Sequence, residues 1–256
     1  MNRPLAGRTV LVTRPAAQAA ALAQAIESAG GAAYVFPALA IEPVPAEALQ
    51  APLARLREAD IVVFVSPSAA QFGMAAIRAQ GGLPPAAAIF AVGPGTARAL
   101  AAQAVGPVVT PDGQDSEALL ALPQLGAVAG KRVVIVRGVG GRPLLAETLA
   151  ARGASVDFLE CYRRVLPHAD AAPLLARWQA GGIDAVTITS AETLENLAAL
   201  VGEAGAPLLL RTPLFAPHEK IAASARRFGV AHVIATPGGD AGLVTGLINW
   251  FRNKHE

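Results

Sequence analysis

The sequence predicts an α/β protein built as two similar domains, each a parallel sheet covered by helices on both faces. Three observations lead there. The stretch from Lys131 to Pro167 reads as strand, glycine-rich turn, helix and strand, and its Val133 to Val136 run is apolar and β-branched, as suits a strand buried on both sides. The same unit opens the chain, where Arg8-Thr-Val-Leu-Val-Thr-Arg14 parallels Arg132-Val-Val-Ile-Val-Arg-Gly138 and a Gly-Ala step follows each helix, Gly31-Ala32 and Gly153-Ala154. Finally, Asp184-Ala-Val-Thr-Ile-Thr-Ser190 repeats Asp60-Ile-Val-Val-Phe-Val-Ser66 at the offset that separates Arg132 from Arg8, 124 residues.

The elements follow in order. A strand from Arg8 to Thr13 leads to a helix from about Pro15 to Ser28, whose proline sits where a missing N–H costs least, and Gly30-Gly31 ends it. A long strand is expected from Ala32 to about Ile41, running into Glu42-Pro-Val-Pro45, a segment suited to carry the chain to another domain. After a short helix, Asp60 to Ser66 forms a buried strand closed by a polar turn, with a helix to about Gln80. Ile89 to Val92 is a strand entering Gly93-Pro-Gly-Thr96, and the next helix ends near Gln103. Val108 to Thr110 then enters Pro111-Asp-Gly-Gln-Asp-Ser116, where Asp115 or Ser116 caps the following helix. Leu144 to Ala151 is helical and stops at Gly153, and Asp157 to Val165 is a long strand.

The second half repeats the first. Leu214 to Lys220 stands against Ile89 to Gly95, and Thr236-Pro-Gly-Gly against Thr110-Pro-Asp-Gly, with the offset drifting to 125 and then 126. The chain therefore reads A, B, A′, B′. The pattern leaves two pairings open: A with B, or A with B′ around an inserted B and A′.

With 256 residues the chain can hold two domains of ordinary size. Hydrophobic residues make up 53%, yet charges, Pro or Gly interrupt every candidate membrane span. The start leads straight into a strand without a signal-peptide core, and the single cysteine, Cys161, excludes an internal disulfide and a Cys-based metal site; both fit the cytoplasm. A net charge of +2 with no Lys/Arg block gives no sign of nucleic-acid binding, while a small acidic ligand suits the chain.

Candidate chemistry lies in the turns. Nearly every strand ends in a helix start, such as Thr13-Arg-Pro, Ser66-Pro-Ser68, Gly93-Pro-Gly-Thr96, the Arg137-to-Pro143 turn and Thr189-Ser190. In an open parallel sheet such turns share the carboxyl edge, and their free N–H groups attract anions. Taken singly, each is ordinary helix punctuation. Dinucleotide binding fails on spacing, since Pro143 stands where a third glycine is needed after Gly138-Val-Gly-Gly141. His168, His218, His232 and His255 show no metal spacing; His232 reads as strand or core, and His218 holds a ligand-edge place in the Ala216-Pro-His turn. Arg14, Arg137 and Arg142 are edge cations able to fork onto carboxylates, or merely solvated helix-start arginines. Tyr162 reads on residue type alone as a packed aromatic at a domain junction.

Several segments in sequence order carry a family resemblance. Val10-Leu-Val-Thr-Arg-Pro15, Val63-Phe-Val-Ser-Pro-Ser-Ala69, Phe90-Ala-Val-Gly-Pro-Gly-Thr-Ala97, Asp115-Ser-Glu-Ala-Leu119, Arg137-Gly-Val-Gly-Gly-Arg142 and Glu160-Cys-Tyr-Arg163 together make the chain resemble uroporphyrinogen-III synthases over almost its whole length. The resemblance implies two flavodoxin-like domains joined by a two-stranded β-ladder, the first discontinuous (1–40 and 168–256) and the second inserted (44–163). It also implies an active site in the cleft between them. The implied reaction cyclises linear hydroxymethylbilane to uroporphyrinogen III: the ring-A hydroxyl leaves, ring D attacks through its substituted α-carbon, and a spiro intermediate reopens with ring D inverted. No cofactor or metal is expected, and a monomer is, in contact at most transiently with the enzyme that makes the substrate.

The eight carboxylates of that substrate suit the edge arginines and helix starts, because orienting it is most of the task. Tyr162 matches a family tyrosine thought to protonate the leaving hydroxyl, a modest role for a weakly acidic phenol. Ser66 and Thr96 match polar positions whose hydroxyls or N–H groups face the cleft, and Arg14, Ser68, Arg137, Gly140, Arg142 and Ser190 are further expected substrate contacts. Where relatives often carry Ser-Pro-Ser and Gly-Pro-Thr-Thr, this chain has Ser190-Ala-Glu192 and Pro217-His-Glu-Lys220, so His218 or Lys220 is expected to supply carboxylate contacts instead. The alternative is a non-catalytic, two-lobed cytoplasmic binding protein closing on a small polycarboxylate.

Overall fold

A computed structural model describes residues 3–113 and 115–253; His255 lies outside the described residues. In chain order the elements are β1 (Thr9–Val12), α1 (Ala16–Ser28), β2 (Ala32–Val35), β3 (Ala40–Pro43), α2 (Ala46–Leu56), β4 (Ile61–Phe64), α3 (Pro67–Arg78), β5 (Ala88–Ala91), α4 (Pro94–Ala101), β6 (Val108–Val109), α5 (Ser116–Leu120) and α6 (Pro123–Gly126). Then come β7 (Arg132–Gly138), α7 (Leu144–Ala151), β8 (Ser155–Val165), α8 (Ala172–Gln179), β9 (Ala185–Thr187), α9 (Ala191–Arg211), β10 (Leu214–Ala216), α10 (Glu219–Phe228), β11 (Val233–Ala235) and α11 (Gly239–Asn253). The chain divides into two compact units, residues 1–40 with 165–256 and residues 41–164.

The first unit holds a five-stranded sheet in the order β11-β10-β9-β1-β2, parallel throughout. Alternation along β1 sends Val10 and Val12 to a core under α1 and α11 and Leu11 to a core under α8, α9 and α10. Burial on both faces is why these strands read as unbroken apolar runs rather than alternating ones.

The second unit holds a six-stranded sheet in the order β3-β8-β7-β4-β5-β6. Its five strands from β8 to β6 are parallel. Phe64, Val134 and Val136 face α2, α3 and α4, while Ile61, Val63, Val133 and Ile135 face α5 and α7. β3 lies beside β8, with the Val44 N–H donating to the Cys161 carbonyl at 3.2 Å.

Replacing β1, β2, β9, β10 and β11 by their sequence counterparts β7, β8, β4, β5 and β6 turns the order of the first sheet into that of the second without its edge strand β3. The two sheets are thus one layout threaded in permuted chain order, with A and B′ sharing a sheet.

Register corrects the repeat by one residue. β9 pairs Val10 with Ala185 and β4 pairs Val133 with Ile61, so Val10 corresponds to Val133 at an offset of 123, not 124. Arg14 is therefore the counterpart of Arg137. Likewise Val233 corresponds to Val108, an offset of 125, which sets Thr236 against Pro111 rather than Thr110.

Two local expectations also change. The strand expected from Ala32 to Ile41 breaks into β2 and β3, because Pro37 has no N–H for the ladder and its neighbours Phe36 and Ala38 turn their N–H groups to Val12 and Thr13. His232 is exposed and precedes β11; its ring lies 5.8 Å from that of Trp250 instead of entering the core. No helix among the described residues is long and apolar enough to cross a membrane.

Candidate active site

In the second unit the chain leaves β4 for α3 on one face of the sheet and leaves β7 for α7 on the other. The two helix starts part at the carboxyl ends of these neighbouring strands, leaving a crevice of the kind in which open α/β sheets bind ligands. A pocket of about 420 Å³ fills it. Ser66, Arg137, Gly140, Arg142 and Tyr162, all expected from sequence, line it together with Asp115, Ser116, Phe158 and Arg164. Three guanidinium groups against one lining carboxylate make it a place for anions.

Tyr162 reaches this pocket through a bulge. Arg137 pairs with Glu160 but Gly138 pairs with Tyr162, so Cys161 is an extra residue on β8. Bulges re-aim the side chains that follow them. Here Leu159, Cys161 and Tyr162 all pack in the core on the α3 side, and Tyr162 is 3% exposed. Its ring packs against Gly138, where an added Cβ would come within 2.6 Å of it, and lies 6.0 Å from the ring of Phe72. Its hydroxyl ends 3.1 Å from Ser66 Oγ. That same Oγ caps α3 by accepting the Ala69 N–H at 3.0 Å. Burial pushes the Cys161 thiol up to about 12, so it stays protonated and packs as a small apolar group.

Arg137 is 9% exposed and lies 4.8 Å over the Phe158 ring, with Nε donating to the Gly138 carbonyl at 3.2 Å and standing 3.6 Å from Glu160 Oε1. Arg142 is exposed, 3.6 Å from Glu117. Ser68 and Thr96, by contrast, are buried in the first turns of α3 and α4 and do not line the pocket. Ser68 follows Pro67, and Thr96 stands two residues after Pro94.

The first unit has a matching switch between β1 and β9. Buried hydroxyls tie it: Thr13 Oγ1 donates to the Thr187 carbonyl at 2.6 Å, and Thr187 Oγ1 to the Leu11 carbonyl at 3.1 Å. Arg14 stands here, bound to Asp240 at 2.5 Å. Ser190 caps α9 as Ser66 caps α3, accepting the Thr193 N–H at 3.1 Å. His218 holds the N-cap place of α10 without a side-chain cap bond, its ring against Gly238, and Lys220 is exposed in the following turn.

Arg164 and Phe158 went unnoticed in the sequence. Arg164 is two residues past Tyr162 on the same strand, so strand alternation from a suspected site residue would have found it. Phe158 carried no such signal.

A family model described as HEM4, uroporphyrinogen-III synthase HemD, matches residues 20–244. Among curated proteins, the chain is 39% identical over 227 residues to the uroporphyrinogen-III synthase of Salmonella typhimurium, covering 86% of this chain and 92% of that one. It is 37% identical over 227 residues, with the same coverage of both chains, to the enzyme of that name from Escherichia coli. Two solved structures share the fold. A mutant uroporphyrinogen III synthase of the extremely thermophilic bacterium Thermus thermophilus gives a TM-score of 0.62 at 22% identity, covering 96% of this chain and 99% of that one. The uroporphyrinogen-III synthetase of Helicobacter pylori gives 0.61 at 12% identity over 95% and 99%.

Proposed function

The chain belongs to the uroporphyrinogen-III synthase family, and from that premise we propose that it cyclises linear hydroxymethylbilane to uroporphyrinogen III, a lyase reaction that loses water and inverts ring D. Membership in a family of enzymes sets aside the reading as a non-catalytic clamp. The observation that carries the assignment to a site is the Tyr162 hydroxyl, 3.1 Å from Ser66 Oγ on a pocket wall with three arginines.

Tyr162 gives its proton to the departing ring-A hydroxyl, which leaves as water. Ser66 Oγ already spends a lone pair on the Ala69 N–H, so its own proton is free to turn toward the phenolate oxygen. Ring D attacks the carbon left behind through its substituted α-carbon to give the spiro intermediate. The bond from that α-carbon to the ring-C methylene then breaks, ring D's unsubstituted α-carbon bonds to the freed methylene to close the macrocycle, and the proton that this carbon sheds returns to Tyr162. Arg137, Arg142 and Arg164, with Gly140 in the glycine turn, hold carboxylates of the folded chain. Arg14, Ser190, His218 and Lys220 are the first unit's candidates for carboxylate contacts. No electron changes hands, so the reaction as written calls for no redox cofactor. We place the enzyme in the cytoplasm as a monomer that takes its unstable substrate from the enzyme before it.

The test is to incubate the protein with enzymatically generated hydroxymethylbilane and separate the isomers. Type III product in excess of the uncatalysed type I is expected; type I alone, no faster than the blank, overturns the reading.

A further inference from the structure

Glu160 sits on β8 between Leu159 and the bulge, facing the glycine turn rather than the core. Its Oε1 accepts the Gly140 N–H at 3.3 Å and stands 3.6 Å from Arg137 Nε. One carboxylate thus touches both parts of the anion-holding wall. The guanidinium it faces is packed tightly: Phe158 lies 4.8 Å beneath it, and on its other side a Cβ at Gly141 would come within 2.5 Å of Nη2. Gly141 has φ of 149°, outside the range that side-chain-bearing residues favour, and a side chain there would also displace the end of the guanidinium. Both protein partners of Arg137 meet it at Nε, and among the described residues neither Nη makes a hydrogen bond. Arginine binds a carboxylate best through two parallel N–H groups, and Arg137 lines the pocket with its Nη groups uncommitted.

We propose that Glu160 is a positioning residue for substrate carboxylates: by accepting the Gly140 N–H and facing the Nε edge of Arg137, it fixes the glycine turn and presents the Nη edge to the pocket. This rests on the pocket being the substrate site. The carboxylate does not touch the reacting atoms, so its loss acts on binding more than on the chemical step.

Steady-state kinetics with hydroxymethylbilane test it. Glu160→Ala is expected to raise KM about tenfold while kcat stays within about threefold, the pattern of lost uniform binding. Glu160→Gln, which keeps an acceptor for the Gly140 N–H, should recover KM to within about threefold of the parent. In an Arg137→Ala background the Glu160→Ala effect should shrink below about twofold, because the two residues act as one unit. An unchanged KM in Glu160→Ala, a fall in melting temperature with unaltered kinetics, a Gln variant no better than Ala, or additive effects in the double variant each overturn the proposal. If the parent protein makes no type III isomer, it is the functional reading that fails, before any KM is compared.

Discussion

Tyr162 shows how much chemistry one residue draws from its surroundings. Its ring is fixed by the face of Gly138 and by Phe72, and its hydroxyl is met by a serine already committed to capping a helix. In the role proposed for it, such a phenol moves a proton without moving itself, at the modest end of general-acid catalysis. Tyr162→Phe is therefore expected to lower kcat about tenfold to a hundredfold with little change in KM, since the ring keeps its packing. Rates measured under saturating substrate decide it, and an unaltered kcat would leave the residue a packing role only. The sequence could point to Tyr162 by its place in the Glu160-to-Arg163 segment but not to its orientation. That depends on a bulge set by the contact with Gly138, a residue distant in sequence whose missing Cβ no local pattern reveals. The burial of Ser68 and Thr96, polar and beside cap positions, was likewise not legible from residue type.

At the scale of elements, the parallel strands were legible because burial on both faces leaves apolar, β-branched runs and each run ends in a Gly, Pro, Ser or Thr turn. Fine register was not, because a one-residue slip between Arg8-to-Arg14 and Arg132-to-Gly138 still superposes apolar on apolar. The aspartates at the starts of β4 and β9 settle it. Asp60 accepts the Arg132 N–H at 2.8 Å with Lys131 at 3.7 Å, and Asp184 accepts the Thr9 N–H at 2.8 Å with Arg8 at 3.0 Å. Each clasps a neighbouring strand at the same place, Arg8 answering to Lys131. The Arg132 N–H above all, then the charges of Lys131 and Arg132, hold the Asp60 carboxyl below its usual 3.8 against the opposing effect of desolvation. A lowered carboxylate pKa adds stability that is complete above the unfolded value and is lost as pH falls through the folded one. Melting temperatures of the parent and Asp60→Asn should differ by a constant amount from about pH 7 to about 5 and converge below about 4. A gap that persists in acid would show that the charge of Asp60 is not what matters.

At the scale of the molecule, two sheets of one layout are threaded in different chain order, and each places an arginine and a capping serine at its switch point: Arg137 with Ser66, Arg14 with Ser190. The repeat alone left the pairing of halves open, because both pairings satisfy the same local pattern, and only the strand neighbours distinguish them. The carboxylates that meet the two arginines do not correspond: Glu160 comes from the strand beside Arg137, Asp240 from the first turn of α11. The halves share a backbone plan and differ in the side chains on it: Pro217-His-Glu-Lys220 stands where the other half has Val92-Gly-Pro-Gly95.

On the proposed function, the crevice between β4 and β7 receives the tetrapyrrole through the Ser66 and Gly138-to-Arg142 turns. Amide hydrogen exchange of the intact protein, with and without uroporphyrinogen III under anaerobic conditions, tests it most directly. Slowed exchange in those two turns on adding the product is the predicted result. Product binding that leaves both turns unchanged while protecting amides elsewhere would contradict it.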